Sequence, residues 1–313
     1  MANSPENLSH RLTTSVSEWI DNNPILTGLA EFAGEVRGNR IIEFSLLFLL
    51  FVTFLAVFGN VVMPYEYDAR HYSEDGELLR RAPPSLDHPL GTNEGGQDVL
   101  SRVIYGAQPT LLTGALGGLF ILSIGLTVGV TAGYHGGWVD EVLMRAVDVL
   151  YGIPFIPFAV VLLGFIGIGF WSTILLIGLL LWRGNSRIFR SQVLQLKERS
   201  YVRSAKASGA SDLYIIVYHI LPNMVGMIIL FLALGIGISI LLAAGLAFLG
   251  FLNPFIPSWG VMIRNAYNSG FLVEAWWWSM PPGFMISWTI LSTYLIGREY
   301  ERLQESKTQR EVL

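Results

Sequence analysis

Four runs of about twenty apolar residues, each long enough for a helix to cross ~30 Å of hydrocarbon, stand out along the chain. They are Ile41 to Met63, Thr110 to Ala132, Asn223 to Leu252 and Ala275 to Gly297. A fifth stretch, Val149 to Trp182, holds 34 residues without a charge. One helix of that length would measure about 51 Å. The stretch is therefore predicted to fold as two spans, over 149–167 and 170–189, parted at Gly167-Ile168-Gly169 with Trp171 at headgroup level. The pattern predicts six transmembrane helices.

Basic residues orient the spans. With the N-terminus inside, fifteen of the 20 Lys and Arg fall on the cytoplasmic side, seven of them between 183 and 222. Five spans with the N-terminus outside would divide the charges equally well. The length of the 149–182 stretch, and Arg37 and Arg40 directly before the first span, favour six. This gives a cytoplasmic segment 1–40, a first span 41–63, an external segment 64–109, a five-helix core 110–297 with an inward loop 190–222, and a cytoplasmic tail 298–313. The first span lies about 40 residues into the chain and no Ala-x-Ala cleavage site follows it, so it reads as an anchor. In the N-terminal segment Leu8, Leu12, Val16 and Trp19 fit either a helix on the membrane surface or a solvated tail.

Composition narrows the function. The chain is 52% hydrophobic and only 14% charged with a net charge of -4, which argues against a soluble enzyme and against nucleic acid as a partner. It has no Cys, so disulfides, thiolate metal sites and Cys nucleophiles are excluded. Glu43 lies within a turn of the start of its run, whereas an ion-coupled carrier keeps ionisable groups at mid-membrane. No His-Glu-x-x-His occurs among the five histidines, and none of the lysines follows a glycine as a phosphate loop requires. The sequence offers no catalytic residue, no metal site and no cofactor site of its own.

Within the spans, the Gly114–Gly118, Gly125–Gly129 and Gly129–Gly133 spacings predict close helix packing. Gly235 and Gly237 repeat the theme, with pore lining as the alternative. Pro154 and Pro157 stand where a kink could turn carbonyls toward a cavity. Arg183 either snorkels to the interface or sits at the inner mouth of a pore. Trp276, Trp277 and Trp278 fit an aromatic belt. Asp98 and Arg102 are spaced as an i, i+4 pair on a short interfacial helix leading into the second span.

The inward loop reads as two short helices. The first covers Ser191 to Ser208 and stops at Gly209, and the second is capped by Ser211 or Asp212 and runs to Pro222. Such a hairpin suits the groove of a soluble partner. Arg203-Ser204-Ala205-Lys206-Ala207-Ser208-Gly209, nine residues, then His219-Ile220-Leu221-Pro222 resembles the Glu-Ala-Ala-x3-Gly loop of prokaryotic ABC-importer permeases, with the Gly-to-Pro spacing of thirteen kept. Gly209-Ala210-Ser211-Asp212 is similar to the dipeptide/oligopeptide/nickel branch. So is His88-Pro89-Leu90-Gly91-Thr92 followed by Gly96, Asp98, Arg102 and Gly106. The sequence departs from that pattern at Arg203 and Ser204, where Glu and Ala are usual. It also departs at Asn93, Gln97 and Gln108, lost charges on the outer face that suggest a different binding-protein partner or substrate, and at Arg183, where proline is common.

The resemblance implies an all-α type I ABC importer permease fold with a coupling helix at Arg203, Ala205, Gly209, Ala210, Ser211, Asp212, His219 and Pro222. It implies the C-type subunit of a multi-pass prokaryotic cell membrane assembly with both termini cytoplasmic. The implied partners are a B-type permease, two ATPase subunits that bind the ATP and Mg, and an external substrate-binding protein, with dipeptides or oligopeptides as substrate. A secondary carrier or channel acting without an ATPase stands as the rival reading, and a scaffold without a pore as a third.

Overall fold

The computed structural model of the chain describes Gly34 and residues 39–312, with side chains as far as Gln304. The surface helix considered through Leu8 and Trp19 lies outside the described residues. Among these, the helices are α1 (Arg40–Val62), α2 (Val99–His135), α3 (Gly137–Tyr151), α4 (Phe155–Ile166), α5 (Phe170–Lys197), α6 (Ser200–Ala207), α7 (Asp212–Ile215), α8 (Val225–Leu249), α9 (Trp259–Asn268) and α10 (Trp276–Val312). Extended structure among the described residues amounts to two isolated bridges, Tyr72 with Leu78 and Thr92 with Asp98. The helical core lies within one compact unit that begins at Ser45.

Three helical runs, α1, α2 and α7 through α8, are long and apolar enough to cross a bilayer, or four if the bent pair α3 and α4 is one span. α5 falls short because Arg183, Arg187 and Arg190 occupy its inner half, and α10 because it opens on tryptophans and Pro281-Pro282. The stretch drawn as one span over 149–167 is broken. α3 ends at Tyr151, Pro154 holds an extended φ, ψ of -70° and 125°, and α4 leaves at 88° to α3. Proline disfavours a helical conformation in the residue before it, which stops α3 from continuing. α4 has 12 residues, about 18 Å at helical rise.

The interfacial helix expected ahead of the second span is not separate. α2 runs unbroken for 37 residues through Pro109. The proline costs the helix one hydrogen bond, while Thr113 Oγ1 donates to the Pro109 carbonyl at 2.7 Å.

Glycine spacing decides how α2 packs. Gly114 and Gly118 lie against α8, where a Cβ on Gly118 would fall 2.6 Å from Ile236 N. Gly125, Gly129 and Gly133 lie against Trp182 to Val193 of α5. One stripe of small residues thus serves two neighbours, its N-terminal half α8 and its C-terminal half α5. Gly235 is the reciprocal of Gly118, with the Gly118 Cα 3.2 Å from its own ideal Cβ, and so meets a helix rather than a cavity. Gly237 touches Ile290 of α10 and edges an apolar groove of about 320 Å³ with Ala233, Leu241, Ser287 and Tyr294.

Two cores flank this stripe. At the end holding the N-terminus of α2, Val52, Leu55, Val99, Val103, Trp259, Met262, Trp278 and Met285 pack together, with the wholly buried Trp259 donating from Nε1 to the Val103 carbonyl at 2.9 Å. At the opposite end Tyr134, Phe189, Val193, Leu196, Val202, Ile215, Ile220 and Met224 form the second. The belt expected at Trp276 to Trp278 is corrected accordingly. Trp276 is exposed, but Trp278 is in the core and Trp277 Nε1 donates to the Thr92 carbonyl at 3.3 Å, because the external segment folds over this end of α10.

Candidate functional site

The second of these cores roots a helical hairpin. Rather than beginning a new helix at Ser191, the chain continues α5 to Lys197, breaks at Glu198-Arg199, and forms the eight-residue α6. The first arm is therefore shorter than the sequence suggests and follows directly on the 28-residue α5. At its end the Ala210 N–H donates to the Ala205 carbonyl and the Gly209 N–H to the Lys206 carbonyl, both at 3.1 Å. These two bonds make a Schellman cap, which requires a left-handed residue. Gly209 supplies it at φ 85°. Ser211 then caps α7 by accepting from the Tyr214 N–H at 3.3 Å.

The second arm changes pitch twice, through a π turn at Ile216–Ile220 and a 3-10 turn at Leu221–Met224, before α8. Pro222 has no N–H to offer the preceding turn. Asn223 Nδ2 instead donates to the His219 carbonyl at 2.7 Å. Val202, Ile215 and Ile220 are buried at the root, while Arg203, Ser204, Ser208, Gly209, Asp212, Leu213, Tyr214 and Tyr218 are exposed. Ala205, Ala210, His219 and Pro222 are intermediate or exposed along the arms. Tyr214 and Tyr218 rings lie 4.7 Å apart and Tyr214 is 5.6 Å from His219, an aromatic face beside the tip.

Side chains on distant helices brace the hairpin. Tyr134 Oη at the end of α2 donates to Asp212 Oδ1 at 2.7 Å, and Lys197 Nζ donates to the carbonyls of Gly133 and Tyr134 at 3.3 Å each. Arg183 is half-buried and engaged by backbone. It donates to the Leu150 carbonyl at 3.1 Å and to the Leu180 carbonyl at 3.0 Å, ending α3 against α5. Pro154 and Pro157 are exposed, at the N-cap and in the first turn of α4. Sequence reasoning missed the brace at Tyr134 and the bonds from Arg187 to Asp148 and from Arg190 to Asp140. The i, i+4, i+7 spacing of Arg183, Arg187 and Arg190 was the available signal.

At the other end the motif from His88 to Gly106 forms a lock on α2. Asp98, wholly buried, accepts from Ser101 N and Ser101 Oγ at 2.7 Å each and pairs through Oδ1 with His88 Nδ1 at 2.9 Å. The expected Asp98–Arg102 pair does not form, since Asp98 is an N-cap whose oxygens point back over the first turn. Arg102 donates to the Tyr67 carbonyl at 3.0 Å and to Gln97 Oε1 at 2.7 Å. Asn93 Nδ2 donates to the same Gln97 oxygen at 2.9 Å. The two departures at Asn93 and Gln97 therefore satisfy each other inside the segment. Thr92 is buried and bonds the Leu79 carbonyl, Gly91 abuts Trp277, Gly106 abuts Trp259, and Pro89 is exposed. The His71 ring stands 4.5 Å from His88 and 4.4 Å from Tyr65. Burial and the neighbouring His88 hold the His71 pKa below the usual histidine value, against a raising effect of Asp98.

A helical bundle in apolar spans, with a braced hairpin at one end and a locked segment at the other, defines a multi-pass membrane protein in class. Residues 125–302 match the family described as binding-protein-dependent transport system inner membrane component. The chain is 34% identical over 276 residues to the dipeptide transport system permease protein DppC of Bacillus subtilis (strain 168), covering 88% of this chain and 84% of the relative. It is 35% identical over 252 residues to the glutathione transport system permease protein GsiD of Pectobacterium atrosepticum, covering 80% and 82%. A solved structure of the MetNI methionine ABC transporter in inward-facing conformations aligns with a TM-score of 0.47 at 18% identity, over 66% of this chain and 95% of that one. The chain belongs to the binding-protein-dependent transport system inner membrane component family: it is a multi-pass membrane permease of an ABC importer. This membership decides against the carrier, channel and scaffold readings.

Proposed function

We propose that the chain is the C-type half of a heterodimeric pore, paired with a homologous B-type permease and importing dipeptides or short oligopeptides delivered by an external binding protein. Two ATPase subunits, which hold the ATP and Mg, drive it from the cytoplasmic side, where both termini lie. The relatives named for dipeptide and glutathione transport support the substrate class. The observation that carries the coupling role is the hairpin itself. Its tip is exposed at a left-handed Gly209, its root is buried at Val202, Ile215 and Ile220, and its arms continue into α5 and α8. Force on such a tip reaches two spanning helices as a rigid-body tilt and exchanges outward for inward access.

Gly209→Arg tests it. A Cβ there meets nothing within 4 Å, so the side chain disturbs the tip and its backbone rather than the core. Membrane insertion and the amount of permease are expected to be unchanged while the ATPases no longer co-purify and uptake stops. Normal co-purification together with normal uptake would refute the assignment.

A further inference from the structure

α3 is turned the wrong way for a helix in water. Trp138, Val142 and Val149 fall within about 60° of one another around the helix axis and face away from the protein, 75%, 57% and 69% exposed. Two of its three acids, by contrast, are engaged by α5, while Glu141 is exposed and pairs with Arg145 on α3 itself at 3.9 Å. Asp140 pairs with Arg190, Asp148 with Arg187, and the Leu150 carbonyl at the helix end accepts from Arg183. The Arg187 guanidinium also lies 4.4 Å over the Tyr151 ring. A soluble helix buries its apolar stripe and solvates its charges. Here Asp140 and Asp148 tie the helix to the bundle, the apolar stripe looks outward, and the charges beside it, Glu141 and Arg145, pair with each other.

The stripe is also continuous with a membrane surface. Across the turn at Gly152–Pro154, α4 exposes Ile156, Val161 and Phe165 in a run with no charged residue. The 88° bend sets α3 across the direction of α4. Arg145, in the middle of the stripe, keeps its side chain 76% exposed beside its i, i+4 partner Glu141 at 3.9 Å, and its length lets the guanidinium also reach a lipid phosphate while the stem lies on hydrocarbon.

We propose that α3 is an in-plane interfacial helix whose Trp138–Val142–Val149 stripe is embedded at the headgroup boundary of the leaflet on the hairpin side, with anionic headgroups facing Arg145. Lipid, rather than a subunit, is its occupant. The helix then works as an outrigger. Through Arg183, Arg187 and Arg190 it fixes the extension of α5 that leads into the hairpin, so tip movement pivots against the bilayer surface.

The absence of native cysteine allows a direct test. V142C and V149C, with A146C as a second variant on the edge of the stripe and D75C as a reference in the external segment, are labelled with bimane in the full chain with its partners. The assembly is reconstituted in phosphatidylethanolamine–phosphatidylglycerol vesicles containing dibrominated phosphatidylcholine. Bimane at V142C, V149C and A146C is expected to lose at least about half its fluorescence to the brominated lipid, as an embedded stripe requires, and D75C to lose little. Quenching at V142C and V149C no greater than at D75C would overturn the proposal. So would photo-cross-linking of both positions to a protein subunit in place of lipid. Neither result depends on whether Gly209→Arg releases the ATPases, so the two readings stand or fall separately.

Discussion

Asp98 concentrates three interactions in one wholly buried carboxylate: the cap of α2, the Ser101 hydroxyl and the His88 ring. Asp98→Ala strands His88 and the first amides of α2, and is expected to cost about 1–3 kcal/mol. Limited proteolysis of the 64–98 segment should become faster while cleavage in the hairpin is unchanged. His71 beside this pair has its pKa held down by burial and by His88. A histidine with a depressed folded pKa contributes stability above its unfolded value of about 6.5, lost as pH falls toward the folded value. Protection of the Thr92 and Val99 amides, taken relative to their intrinsic exchange rate at each pH, should therefore fall as pH drops below about 6.5, and His71→Phe should flatten that dependence.

The residues legible in the sequence were those whose role is fixed by local backbone. Gly209, and a cap at Ser211 or Asp212 that the structure gives to Ser211, could be placed because a helix stop and a helix start carry their own chemistry. Asp98 and Arg102 were misread as a pair because the i, i+4 rule describes a helix interior, and Asp98 stands outside the first turn. Asp212 with Tyr134, 78 positions apart, offered no spacing to read.

At the scale of elements, the contact between α2 and α8 depends on having no side chain at Gly118 and Gly235. Gly118→Val places a branched side chain against Ile236 and the Gly235 backbone, forcing α8 away. Overpacking of this kind costs about 1–3 kcal/mol. The measurement is thermal aggregation of the detergent-solubilised complex, expected at a lower temperature for Gly118→Val than for Gly164→Val, since Gly164 has open space around it. Glycine spacing announced close packing in the sequence but could not say against which helix. One stripe divided between α5 and α8 requires three helices in space. The broken span at α3 and α4 was hidden for a related reason: the apolar run from Val149 to Ile166 is charge-free on both sides of the bend.

For the whole molecule, the central claim is mechanical: an exposed tip, braced by Tyr134 and Lys197 and continuous with α5 and α8, receives force from a separate ATP-driven motor. The most direct measurement places single cysteines at Ser204, Ala207 and Ser208, all exposed on the hairpin, and applies a short bifunctional cross-linker to membranes carrying out ATP-driven peptide uptake. The account predicts cross-links from all three positions to the ATPase subunits, with uptake falling in proportion to the cross-linked fraction. Uptake that continues unchanged while these positions capture only lipid, or nothing, would contradict it.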